Sequence, residues 1–212
     1  MARGRTTITS SLGLLLPLGA VVMTTAGRAE AATPTYYNSL VGFQANITTT
    51  VTDDYQNPAY VFIQSNAVMS AVLGQTDYFT TGFNDLNIVS GGVYCAGCNG
   101  SFELSFQTTT VGNAAGVHGV GMNIQFNDPG TPYFAWITFA DGTHANIQLP
   151  AAGSFWGVSA PERIERIHFG LSMGGTTQGG SFGIDNLVIG SGNIGGCMVP
   201  GDCADDMNPC TN

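Results

Sequence analysis

The chain has 212 residues, with five basic side chains, all arginine, against fourteen carboxylates, for a formal net charge of -9. Without a single lysine it has no P-loop lysine for nucleotide phosphates, no kinase-type lysine and no Schiff-base lysine for pyridoxal phosphate. Nor does it offer the basic face that neutralises nucleic-acid phosphates, so these lysine-dependent mechanisms are excluded at the outset and a nucleic-acid binder is not expected.

Residues 1–31 have the layout of a signal peptide. Arg3 and Arg5 give a positive start, an apolar stretch runs from Leu12 to Met23, and Ala29-Glu30-Ala31 is a small-x-small cleavage site. The apolar stretch is about a dozen residues long, short of the roughly 20 that a spanning helix needs. No second apolar run follows, so no membrane span is expected in the mature chain. Cleavage after Ala31 leaves two arginines against thirteen carboxylates, a net charge of -11. The expected location is secreted, extracellular or at the cell surface, where cysteines pair.

From Tyr36 to Ile189 the pattern is strands and turns. Tyr60 to Ile63 and Ala67 to Leu73 are apolar runs of strand length. Phe102, Leu104 and Phe106 alternate with Glu103, Ser105 and Gln107, and Val120, Met122, Ile124 and Phe126 alternate with Gly119, Gly121, Asn123 and Gln125. This period of two marks strands with one face in a core. Turn signals separate the runs, at Asn57-Pro58, Ser90-Gly91-Gly92, Asn99-Gly100, Asp128-Pro129-Gly130 and Asp141-Gly142. No window carries a 3.6-residue period capped at both ends.

Cys95-Ala96-Gly97-Cys98 sits between two of these turn signals, not in the βαβ setting that thioredoxin-like redox chemistry needs. A local disulfide between Cys95 and Cys98 is expected, ahead of half a zinc site. With Asp141-Gly142 as a two-residue turn, Thr138 pairs with Ala145, Trp136 with Ile147 and Phe134 with Leu149. That register puts Trp136 in the core. A further strand runs from Arg163 to Leu171, with Arg166 and His168 opposite Ile167 and Phe169, and with Glu162 and Glu165 expected to neutralise the two arginines. A Gly/Thr loop, residues 174–180, leads to a last strand, Phe182 to Ile189. Many short strands with evenly spaced turns predict an all-β fold, an antiparallel two-sheet β-sandwich of jelly-roll type, over residues 32–190. Residues 191–212 are expected to be a Gly-rich linker and a short disordered Cys-rich tail.

Two motifs with catalytic spellings fail on context. Gly179-Gly180-Ser181-Phe182-Gly183 matches GxSxG, but a glycine loop precedes the serine and a strand follows, where the nucleophile elbow needs strand then helix. Gly190-Ser191-Gly192-Asn193-Ile194-Gly195 matches GxGxxG, but too little chain follows for a βαβ unit. His118, His144 and His168 each fall in an expected strand without a ligand partner at metal spacing, and are expected at the surface or an edge. Asp185 in the last strand is the candidate for structural Ca2+, a hard cation served by carboxylate and carbonyl oxygens. Trp156, Tyr78, Phe79 and Tyr133 fit core parity least well and are the candidate ligand-binding rings, since an exposed aromatic can stack on a sugar.

The stretch Phe155-Trp156-Gly157-Val158, Ile164 to Phe169, then Gly183-Ile184-Asp185-Asn186-Leu187 resembles exported β-sandwich domains of bacterial proteins of the PEP-CTERM type, though the sorting tail is absent. The Tyr94 to Phe102 loop with its paired cysteines is similar to theirs. The end, with Cys197, Asp202-Cys203, Asp205-Asp206 and Asn208-Pro209-Cys210-Thr211, resembles the first half of an acidic Cys-rich repeat, C…DCDDGNPCT…C. A truncated repeat would explain the odd count of five cysteines. The final Ile-Asp-Asn strand is also similar to the closing strand of jelly-roll carbohydrate-binding modules, where the resemblance implies a calcium-holding Asp.

The resulting expectation is a non-catalytic secreted or cell-surface β-sandwich that binds extracellular polysaccharide or matrix. The alternatives are a structural or adhesive spacer of a longer exported protein and, least favoured, a jelly-roll hydrolase working through acids such as Glu103 or Asp141.

Overall fold

A computed structural model describes residues 33–111 and 116–192. The expected signal peptide and the tail cysteines Cys197, Cys203 and Cys210 lie outside the described residues. The described chain is a mostly-β antiparallel sheet with a few short helices. In chain order the elements are β1 (Thr35–Tyr37), α1 (Leu40–Gln44), β2 (Ile47–Asp53), β3 (Ile63–Gln64), α2 (Asn66–Ala71), β4 (Asp77–Thr80), β5 (Asn87–Ser90) and β6 (Val93–Ala96). They continue with β7 (Phe102–Ser105), β8 (Val117–Asn127), β9 (Phe134–Phe139), β10 (His144–Gln148), β11 (Ser154–Gly170), a 3-10 turn (Ser172–Gly174) and β12 (Phe182–Gly192).

The strands lie in the order β10-β9-β11-β8-β12-β6-β5-β3, with β1 also on β11, β2 on β12, and β4-β7 on β11. The seventeen-residue β11 changes neighbours midway. Its first part, Ser154 to Ser159, pairs with β8 and β1, and its second part, from Ile164 on, pairs with β9 and β7. One buried cluster gathers residues from both parts of the sheet: Val120, Met122 and Ile124 from β8, Phe102 and Leu104 from β7, Ile137 from β9, and Ile167 and Phe169 from β11. The alternations read from the sequence at β7 and β8 therefore do face the core. Among the described residues no helix is long and apolar enough to cross a membrane.

Ala67 to Leu73, expected as a strand, is mostly the helix α2, capped by Ser65, whose hydroxyl accepts from the Val68 N–H. The Tyr60 to Ile63 run contributes only Ile63 to a strand. Ser39 caps α1 in the same way through the Gly42 N–H. Helices of five and six residues do not complete two turns, so no 3.6 period can develop. The capping serine is their sequence signal.

The hairpin register also differs from expectation, by one residue. Phe139 pairs with Thr143 around Ala140-Asp141-Gly142: the Gly142 N–H donates to the Phe139 carbonyl at 2.9 Å and the Phe139 N–H to the Thr143 carbonyl at 3.0 Å. Gly142 has φ +80°, the left-handed position that ends a three-residue hairpin connection. Trp136 then pairs with Asn146, and Thr138 with His144. Ala135, Ile137 and Phe139 take the core. Trp136 moves to the outer face, stacked on His144 with ring centroids 4.8 Å apart.

Glycine on β8 has a packing cause. Phe43 of α1 lies flat against the outer face, and a Cβ on Gly119 or Gly121 would come within 3.2 Å or 2.9 Å of its ring. Positions that look like a solvent face in an alternating pattern thus form a platform for α1. On β12 the register shifts between Asp185 and Val188, and Asn186 has φ +50°. This is a β-bulge, at which the strand changes neighbours from β6 to β2, and asparagine tolerates the left-handed backbone it requires. Ser191 and Gly192, expected as the start of the linker, are still strand, paired with Thr48 and Ile47.

Candidate functional site

Among the described residues, β1 is hydrogen-bonded only to β11, and β10 only to β9. Both are edge strands, and a groove of about 750 Å³ opens beside them. β1 contributes Tyr36, which pairs with Val158 of β11 and keeps 39% of its surface exposed. β10 contributes Ile147 and Gln148, and β11 contributes Ser154, Phe155 and Trp156. Asn38, between β1 and α1, adds a second exposed side-chain amide to that of Gln148. Among the described residues no lining residue carries a formal charge. Partial burial pushes the Tyr36 phenol above its ordinary pKa, so it is a neutral donor at physiological pH.

The groove is held in place by what lies behind it. The Tyr37 hydroxyl bonds the Ser159 hydroxyl at 2.8 Å, tying β1 to β11. The Tyr37 ring meets Phe43 edge-on at 5.6 Å, and Phe43 meets Phe155 at 5.8 Å. The glycine platform under Phe43 thus fixes the rim. Trp156 is 4% exposed and packs edge-on against Phe169 in the core. Its indole N–H is buried without a hydrogen-bond partner among the described residues, an unfavourable state for a buried donor.

Of the four rings expected to bind ligand, Trp156 borders this groove but is itself buried in the core and presents almost no ring surface to it. Tyr78 and Tyr133 are corrections: both are buried in the core and present no ring to solvent. Tyr78 donates to Asp53 at 3.0 Å, and Tyr133 donates to the Gly180 carbonyl, its pKa pushed up to about 12 chiefly by burial. They lie near strand ends in sequence, but the sheet folds over those ends. Phe79 is 45% exposed and lines a second, more open groove of about 650 Å³ beside α2, with Asp77 and Asp85.

A buried tyrosine cluster escaped sequence reasoning. The carboxylate of Asp53 accepts from the hydroxyls of Tyr60 and Tyr78 and from the Tyr55 N–H. Burial raises the Asp53 pKa, and the three donors oppose that rise. Tyr94 stacks on Tyr55 at 5.6 Å and gives its hydroxyl to Asn87. The available signal was an acid closing the Thr/Val alternation of β2. The groove residues Tyr36, Asn38 and Gln148 were likewise missed, although Tyr36-Tyr37-Asn38 after Pro34 is an unusual concentration of rings at the start of the sheet.

The histidines separate. His118 and His144 are partly or fully exposed, but His168, expected at the surface or an edge, is buried. Its Nε2 lies 2.8 Å from the Thr81 hydroxyl, and its Nδ1 has no partner among the described residues. Burial lowers its pKa. Arg166 faces Glu103 across β7 at 4.0 Å, not its sequence neighbour Glu165. Asp141 is committed to the turn, where the Thr143 hydroxyl and N–H bond it and lower its pKa. Asp185 accepts from the Asn186 N–H and from the Gln125 amide. Among the described residues no group of three or more His, Cys, Asp or Glu gathers as a metal site. Ser181 precedes strand β12, not a helix. Cys95 and Cys98 lie at disulfide-bonding distance, with Cα atoms 4.6 Å apart.

No family model matches the chain, and no curated protein or solved structure matches it significantly.

Proposed function

We propose that the chain is a non-catalytic, exported or cell-surface antiparallel two-sheet β-sandwich of jelly-roll type that binds extracellular polysaccharide in the groove between β1 and β10. The long β11, which pairs with β8 in one half and with β9 and β7 in the other around a single core, supports the sandwich. The groove itself carries the functional reading: the exposed ring of Tyr36 and the partly buried ring of Phe155 lie beside exposed amides from Asn38 and Gln148. Rings stack on the C–H faces of sugars, and amides bond hydroxyls as both donor and acceptor. The non-catalytic part rests on Glu103 and Asp141, which face an arginine and a turn, while general acid–base hydrolysis of glycosides needs two carboxyl groups flanking one bond.

Isothermal titration of the folded chain against a panel of soluble polysaccharides tests this. Binding that weakens at least tenfold in Tyr36→Ala is expected. No heat with any member of the panel, or binding indifferent to that change, overturns it.

One observation favours the adhesive alternative. Edge strand β3 and the chain before it expose Val61, Phe62 and Ile63, with Phe62 at 62%. An apolar, unpaired edge is a template for association. Concentration-dependent self-association in sedimentation, abolished by Phe62→Lys, would move the function there.

A further inference from the structure

Resting on the groove reading above, we infer that the ligand is an electrically neutral polysaccharide, held by ring stacking and amide hydrogen bonds, and that uronic, sulfated and amino sugars are rejected.

Burying an ion without a counter-charge costs several kcal/mol, so a site for acidic sugars carries arginine or lysine, and a site for amino sugars carries carboxylates. Among the described residues this groove has neither. The shortage of cations is a property of the whole chain. There is no lysine, and among the described residues the arginines are Arg163 and Arg166, neither of which lines the groove. Arg166 is already turned to Glu103. The net charge of -9 adds a long-range repulsion of polyanions, weakened beyond a Debye length of about 8 Å at physiological salt.

What the groove does offer suits an uncharged ring with hydroxyl groups. Tyr36 presents a partly exposed ring and a neutral phenol, and the half-buried Phe155 presents further apolar surface. Asn38, Gln148 and Ser154 can each both donate and accept, which matches a hydroxyl and does not favour either sign of charge. A volume of about 750 Å³ is within the range of small-molecule sites, so an oligosaccharide segment can be accommodated. The edge position leaves the groove open at the side of the sheet, as a polymer requires.

The experiment is affinity electrophoresis and tryptophan-fluorescence titration of the full chain with soluble polymers of three charge types. Neutral β-1,4-glucan, β-1,3-glucan and mannan form one arm, polygalacturonate a second and chitosan a third, each at 20 mM and 500 mM NaCl. The expected result is binding to at least one neutral polymer, changing less than twofold with salt. Asn38→Ala combined with Gln148→Ala should weaken it at least tenfold, with Tm unchanged. Trp136→Phe should leave the fluorescence response, since Trp136 lies on the outer face of β9 and the other tryptophan lines the groove. Tighter, salt-sensitive binding to a charged polymer that is still lost with Tyr36→Ala overturns the inference and leaves the groove reading standing. Absence of binding in all three arms overturns both.

Discussion

Two aromatic clusters in this protein differ in how their polar atoms are treated. In the cluster around Asp53, the hydroxyls of Tyr60 and Tyr78 donate to a carboxylate, Tyr94 has Asn87, and the Tyr55 hydroxyl lies 3.2 Å from that of Tyr78. In the edge groove, Tyr36 is partly open to solvent, and the buried Trp156 N–H has no partner among the described residues. Ring count does not separate a packing cluster from a binding surface, because both are Tyr-rich. Satisfaction of the polar atoms does: each hydroxyl of the first cluster has a partner, whereas the groove leaves the polar side chains of Tyr36, Asn38 and Gln148 exposed.

The largest effect should come from breaking the complete cluster. Asp53→Ala strands two tyrosine hydroxyls and the Tyr55 N–H in the interior and should lower unfolding free energy by about 3 kcal/mol, measured by urea denaturation. A loss under about 1 kcal/mol would mean that the cluster is not closed as described. Next, Cys95 follows Tyr94 on β6 and so helps hold the cluster's strand. Opening its four-residue loop with Cys95→Ser and Cys98→Ser should lose about 2 kcal/mol, and peptide mass spectrometry without reductant should find the two cysteines joined.

His168 stands between the two clusters in character, with one nitrogen bonded and one not. Its pKa is lowered in the folded protein by burial, so below about pH 6.5 the unfolded chain binds more protons than the native one. Stability should therefore fall as pH drops from 6.5 and be regained on raising it. Thermal melts of His168→Asn across the same range should show a shallower dependence; an unchanged slope would assign it to other groups.

In the groove, Tyr36→Ala should cost less than about 1 kcal/mol of stability, because a half-exposed ring loses little burial, while ligand binding falls at least tenfold. Smallest of all is the expected effect of calcium. Both Asp185 oxygens already accept protein hydrogen bonds, so Tm with 5 mM Ca2+ and with chelator should agree within a degree. A rise with calcium would show that the bulge binds metal after all.

Much of the sheet was legible, and the failures have definite causes. Phe102, Leu104, Val120 and Met122 announced their strands because the alternate positions carry polar side chains or the glycines on which Phe43 packs. The hairpin at Asp141-Gly142 was legible as a hairpin but not in register. Phe134 and Trp136 on one face and Ala135, Ile137 and Phe139 on the other are all apolar, so pattern cannot choose between two- and three-residue turns. The backbone at Gly142 decided it. Of the groove, only Trp156 was marked beforehand; Tyr36 and Asn38 are far from Gln148 along the chain, and no local pattern connects them.

By itself, the sequence determined the chemistry available: no lysine, scarce charge, abundant rings and strand-forming alternation, which together exclude whole reaction classes and demand an antiparallel sheet. Tertiary structure decided which rings are finished and which are open. The reason is that satisfaction of a buried polar atom depends on partners far apart in the chain. Asp53 gathers Tyr60 and Tyr78, whereas the two edge strands bring Tyr36 and Gln148 to one groove 112 positions apart in sequence.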